Sequence, residues 1–165
     1  MATDVNSAGL AYPLTKMNFL VSVPDLAGAM AAFSEVTGIE ATVDVIEFRQ
    51  GNAHSLAPVK IPGLVKHGNI TLKMGYTIGN GFKKWIEDCV SSTRGAMPRK
   101  EITIELLDIR DGAPSTAYTT TQGSVLWMLK DAWVCKYVGP DLNASTSEVA
   151  IETVEIAYEE LTIPD

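Results

Sequence analysis

The chain is poor in the residues from which active sites are usually built. Two cysteines and two histidines occur in 165 residues, and thirteen basic side chains face twenty acidic ones. His54 and His67 match no common zinc spacing, and neither cysteine lies near them in sequence, so no metal site is expected. Cys89 and Cys135 each sit in an apolar pattern and read as buried free thiols rather than a disulfide. The formal net charge of −7 argues against a nucleic-acid binder, which normally carries a basic face. No apolar run approaches the roughly 18–20 residues of a membrane span, so no membrane anchor is expected. The opening MATDVNSAGLAYPLTK lacks a basic segment followed by an apolar one, and it predicts no signal peptide. No G-x-S-x-G, P-loop or dinucleotide fingerprint occurs, and the glycines of Gly75–Gly81 read as a turn before a helix. The acidic pairs Asp108/Asp111 and Glu159/Glu160 have no convergent partner and read as solvated carboxylates. The chain is not expected to be an enzyme, nor to use a cofactor.

What is present is β-structure. Residues 1–15 are small and polar and read as a flexible N-terminal arm ahead of one domain over 16–165. Met17, Phe19, Val21 and Val23 alternate with Asn18, Leu20 and Ser22, the period of a half-buried strand. The stretch Asp25–Gly38 fits a helix capped by Asp25 or a turn followed by a second strand; its alanines favour helix. Ile70, Leu72 and Met74 form a one-sided strand, as do Ile102, Ile104 and Leu106. Phe82, Trp85, Ile86, Cys89 and Val90 recur at i, i+3, i+4, i+7 and i+8, the stripe of a single amphipathic helix. Val125–Val138 is one bent strand or two, with a bulge expected at the polar pair Lys130-Asp131. Val149 and Ile151 are out of phase with Val154, Ile156 and Tyr158, which suggests a bulge or a change of facing near Thr153. Trp127 and Trp133 would share a face on a regular strand, as core filling or as a ligand platform. The fold class is mainly β: an antiparallel sandwich or barrel with one packed helix.

The stretch Val43–Gly75 stands out. Val43, Val45, Ile46 and Phe48 are strand formers with apolar residues on both faces. Between them and the strand at Ile70, residues Gln50–Lys66 show no clear period and contain Gly51, Pro58, Pro62 and Gly63, so they read as one long loop. Leu56, Val59, Ile61, Leu64 and Val65 are too apolar for a disordered linker. A monomer of this size could not cover all of this surface, and larger exposed apolar patches mark interfaces.

Several segments together resemble the T4-type phage tail tube protein family, which includes inner tube proteins of phage-like contractile injection systems. They are Phe33-Ser34-Glu35-Val36-Thr37-Gly38-Ile39, Ile46-Glu47-Phe48-Arg49-Gln50-Gly51-Asn52, Lys60-Ile61-Pro62-Gly63-Leu64 and Gly68-Asn69-Ile70-Thr71-Leu72-Lys73. Trp85-Ile86 and Glu148-Val149-Ala150-Ile151-Glu152 fit as well, so the resemblance spans about Met17 to Ile163. Val134 stands where the family often has proline, and the histidine often found near Tyr158 is missing.

The resemblance implies hexameric rings stacked into a tube inside a contractile sheath, a conduit for DNA or protein cargo. Its partners would be copies of itself, the sheath protein, and baseplate and tube-cap proteins. The protein would be made in the bacterial cytoplasm and then become part of a virion tail or injection particle. The resemblance makes Met30–Val36 a strand of a first hairpin. It also sends the long loop to a neighbouring subunit or ring, with Gln50, Gly51, Asn52, Val59, Lys60, Ile61, Pro62, Gly63 and Leu64 as the contact residues. Six copies at −7 each would give a ring a formal −42, and an acidic lumen would repel acidic cargo from its wall. The other readings are a tube-initiating or tube-capping relative and a monomeric β-barrel module that uses Trp127 and Trp133.

Overall fold

The computed structural model describes residues 16–26, 33–52, 54–76, 81–91, 97–106 and 125–163. These form nine strands and one helix: β1 (Phe19–Ser22), β2 (Phe33–Thr37), β3 (Ala41–Phe48), β4 (Val59–His67), β5 (Ile70–Gly75), α1 (Gly81–Ser91), β6 (Lys100–Leu106), β7 (Val125–Val138), β8 (Ile151–Ala157) and β9 (Glu160–Thr162). The N-terminal arm and the Asp108/Asp111 pair lie outside the described residues. Every pairing is antiparallel. Seven strands form one sheet along the path β1-β6-β7-β8-β5-β2 with β9 against β7, and β3 and β4 pair only with each other.

The long strand β7 joins the two halves of that sheet. Its first half pairs β6 and β9; its second half pairs β8. The changeover is where the sequence places it. Ile102 lies opposite Leu129 but Lys100 lies opposite Ala132, so β7 carries one extra residue at Lys130-Asp131. Asp131 adopts φ 52°, a left-handed conformation that aspartate tolerates better than most residues. The inserted residue changes the phase of the strand: Leu129 is buried before it, Ala132 and Val134 after it. Trp127 therefore follows the inward phase of Leu129 while Trp133 does not share that of Ala132 and Val134. The two indoles do not make one platform, and both pack partly buried against the core.

The core draws on both halves of the sheet and on the helix. Val21, Ile102, Ile104 and Leu129 form one cluster with Ile70, Leu72, Met74, Val134, Val154 and Ile156. Phe82, Trp85, Ile86 and Cys89 of α1 close it, as the periodicity predicts, while Val90 stays exposed. The Trp85 indole donates to Pro98 O at 2.7 Å, satisfying the one polar group this large side chain brings inside.

Four expectations need correcting. First, half of the expected long loop is strand, because β4 begins at Val59; its period is hidden by apolar residues on both faces and by the Pro62-Gly63 step. Second, of the strand expected over Met30–Val36 the first three residues lie outside the described residues and Phe33–Thr37 is a strand, but β1 and β2 do not form a hairpin: β1 pairs β6 and β2 pairs β5. Third, of the two alternatives near Thr153 the bulge is absent: β8 runs against β5 in unbroken register, and the apolar residues change face because Glu152 occupies an inward position in phase with Val154 and Ile156. Fourth, Cys89 is buried but Cys135 is exposed, since the register of β7 slips again between Val134 and Lys136; both thiols are free.

Candidate assembly interface

The β3–β4 hairpin differs from everything else in the molecule. Ile46 lies opposite Ile61 and Phe48 opposite Val59, so these four line one face. On the other face Val45 lies opposite Pro62 and Glu47 opposite Lys60. Neither face is covered: Phe48 is 53% exposed, Val45 62% and Leu64 74%. Towards the body, Val43 pairs Val65 and Val45 pairs Pro62, which leaves one extra residue in β4 at Gly63-Leu64. A Cβ on Gly63 would stand 3.0 Å from Asp44 O, so the close approach at this bulge suits a residue without a side chain. The bulge turns Leu64 outward.

The sequence-predicted contact residues divide between two elements. Gln50, Gly51 and Asn52 lie in the connection at the far end; Val59, Lys60, Ile61, Pro62, Gly63 and Leu64 lie on β4. All nine are on the hairpin, and all but the half-buried Gly63 are exposed. The connection is held by Arg49 Nε donating to Ser55 O at 3.3 Å and Ala57 N donating to Ser55 Oγ at 3.2 Å. Leu56 projects from it, 85% exposed. The β3 residues Val45, Ile46 and Phe48 make up the other half of the same surface; their two-sided apolar pattern was the signal for them.

The base of the hairpin is tied to the body. Tyr158, just beyond β8, donates its hydroxyl to Glu40 O at 3.1 Å, and its ring lies 5.3 Å from that of His67. Burial pushes the Tyr158 phenol up, with the bond to Glu40 acting the other way. Gly38 has φ 88°, and a Cβ there would sit 2.5 Å from Asn69 O, so this crossing of the strands entering and leaving the hairpin needs glycine on two counts. Lys66 pairs Asp44 at 2.7 Å along the lower hairpin.

A second feature lies where α1 covers the sheet. Glu152 is fully buried, and its Oε1 receives the Tyr137 hydroxyl at 3.1 Å and the Lys83 ammonium at the same distance. Lys83 also stands 3.1 Å from the centroid of the Tyr76 ring, a cation–π contact. Burial, and then the bond to Glu152, push the Tyr137 phenol up. These groups line a cavity of about 300 Å³ with Ile86, Glu87 and Val90. Its signal in the sequence was a charged residue at an inward strand position.

Among the described residues no group of three or more His, Cys, Asp or Glu could hold a metal ion. Glu159 and Glu160, considered above as an acidic pair, are engaged by Arg99 and Lys130 respectively. What the molecule offers is unburied apolar strand surface.

The chain resembles a chain of an extracellular contractile injection system, the PVC sheath–tube complex in its extended state, with 22% identity, coverage of 96% of this chain and 97% of that one, and a TM-score of 0.72. It is similar to a chain of the anti-feeding prophage tube-terminating cap (24% identity, coverage of 99% and 98%, TM-score 0.73). It is also similar to a chain of the anti-feeding prophage baseplate (20% identity, coverage of 93% and 96%, TM-score 0.71). These likenesses establish the fold. No curated protein sequence matches the chain. The family description "T4-like virus tail tube protein gp19" matches residues 15–162, nearly the whole chain, and the protein therefore belongs to that tail tube family, whose members are structural and not enzymatic parts of phage tails and contractile injection systems.

Proposed function

We propose that the chain is the repeating subunit of the inner tube, and that the β3–β4 hairpin is the joint between subunits of neighbouring rings. The observation that carries this reading is the two-faced apolar ribbon. Val45 and Pro62 on one side, and Ile46, Phe48, Val59 and Ile61 on the other, are in water in the isolated protomer. A ribbon of this kind needs cover on both faces, which a gap between two neighbouring copies supplies. The edges of the sheet point the same way. Among the described residues strands β1 and β2 end the strand path, so each offers a backbone edge to pair with another chain. A closed ring of six copies uses a heterologous contact, one edge of each copy meeting the other edge of its neighbour.

In this reading the partners are copies of the chain, the contractile sheath outside, and the baseplate and cap at the tube ends. The conduit carries DNA or protein along an acidic wall. The sheath–tube, cap and baseplate assemblies whose chains it resembles support the setting.

The test is assembly of purified protein, followed by sedimentation and negative-stain microscopy. The wild-type chain forms rings that lengthen into tubes, whereas a capping relative stops at one ring and a binding module stays monomeric. Ile61→Asp/Leu64→Asp leaves the protomer folded and abolishes stacking. Unchanged tubes from that double variant would remove the hairpin from the mechanism.

A further inference from the structure

The cavity beside α1 has a property that packing alone does not explain. Glu152 Oε1 takes both the Tyr137 hydrogen bond and the Lys83 ion pair, while the equally buried Oε2 has no hydrogen-bond partner among the described residues. A buried carboxylate oxygen without a donor is costly, and native proteins normally satisfy such a group. Among the described lining residues the charges are also one short of balance: Glu152 and Glu87 against Lys83 leave a net −1. The walls are otherwise apolar or aromatic, from Tyr76, Ile86, Val90 and Tyr137. A site of this kind fits one cationic group on an apolar stem, which is the chemistry of a lysine or arginine side chain.

We propose that the cavity is a socket for a basic side chain of a second copy of this chain, delivered by that copy's β3–β4 hairpin. Residues 41–67 carry Arg49, Lys60 and Lys66 against Asp44 and Glu47, a net +1 in a chain of net −7. Lys66 is already paired with Asp44, whereas Arg49 and Lys60 lie towards the far end of the hairpin and form no ion pair among the described residues. An eight-residue strand places that end about 25 Å from the body, within reach of a neighbour. The surface beside the socket complements the arm. Tyr137, Val138, Val149 and Ile151 are exposed there, and the connection between β7 and β8 carries the exposed Asp141 and Glu148 and no basic residue. An apolar, slightly basic arm thus meets an apolar, acidic surface with a charged hole in it. This assignment rests on the hairpin being an inter-subunit joint and adds where its tip goes.

The test uses the full chain and reads the protein concentration at which tubes form, with circular dichroism melts to verify folding. Glu87 is exposed on α1, so Glu87→Lys folds and changes the socket from −1 to +1; it raises the assembly concentration by about tenfold or more. Asp88→Lys makes the same charge change one residue away, off the cavity, and leaves assembly as in the parent. Arg49→Glu/Lys60→Glu alone blocks assembly, and combined with Glu87→Lys restores it to within about twofold of the parent. The assignment is overturned if Glu87→Lys assembles like the parent, if Asp88→Lys is equally damaging, or if the swap fails to rescue. Loss of tubes in Ile61→Asp/Leu64→Asp alongside normal tubes in Glu87→Lys would sink the socket alone and leave the joint standing.

Discussion

The body and the hairpin are built from similar strand-forming residues and put them to opposite use. In the body, β5 and β8 alternate between buried and half-exposed positions, with Ile70, Leu72, Val154 and Ile156 entirely out of water. In the hairpin, no residue of β3 or β4 is buried, although Val43, Val45, Ile46, Phe48, Val59, Ile61, Leu64 and Val65 are as apolar as anything in the core. The difference is one of partners. A body strand finds its apolar cover within its own chain; the hairpin has its backbone bonds at home and, in the proposed tube, its side-chain contacts on a neighbour. Protomer stability and assembly should therefore respond to different substitutions.

The largest effect on the protomer is expected from Leu72→Ala. A fully buried leucine truncated beneath the sheet should cost about 2–5 kcal/mol in chemical unfolding. Leu64→Ala, the same change on the hairpin, should shift that midpoint by no more than about 0.5 kcal/mol while weakening tube formation. A comparable loss in both variants would show that the hairpin contributes to the fold of the single chain.

Gly38→Ala comes next, at about 1–3 kcal/mol, because it forces a side chain into a left-handed conformation and against Asn69 O. It should also disturb assembly, since it lies where the hairpin leaves the body; normal unfolding with normal tubes would mean that the crossing can rearrange.

The smallest effect, about 0.5–1.5 kcal/mol, is expected from Tyr158→Phe, which removes the hydrogen bond to Glu40 O and keeps the ring on His67. Its signature is in alkali. Burial raises the phenol in the folded state, so the unfolded chain loses the proton first. The stabilisation is complete below about pH 10 and falls as the pH climbs through the folded value. Tyr137 acts in the same direction. Urea titrations at pH 8 and at about pH 10.5 should show Tyr158→Phe losing less stability between the two than the parent; an equal loss would remove Tyr158 from the alkaline response.

Where local pattern and tertiary burial agreed, the sequence was readable. The helix stripe from Phe82 to Cys89, the alternation of Ile70, Leu72 and Met74, and the bulge at Lys130-Asp131 follow from period and polarity alone. Val90 fitted the stripe but stayed in water because the cavity, not the sheet, lies beneath it. Strand β4 was hidden because its apolar residues occupy both faces, which erases the period of two that reveals a half-buried strand. The partners of β1 and β2 could not be read either, since strand alternation shows which way a strand faces but not what it lies beside. Glu152 was legible only as a phase error. A carboxylate at an inward position looks like a slipped register until the lysine and tyrosine that reach it are seen.

Strand β7 is covalently continuous across the Asp131 bend, with β6 and β9 bonded to one part and β8 to the other. The two halves of the domain consequently cannot slide past each other unless that backbone itself deforms. A pull applied on the β6 side reaches the β8 side through peptide bonds, not only through the shear strength of side chains packed in between. A subunit wired in this way bears tension as one piece, and an assembly of such subunits should yield first at the joints between them.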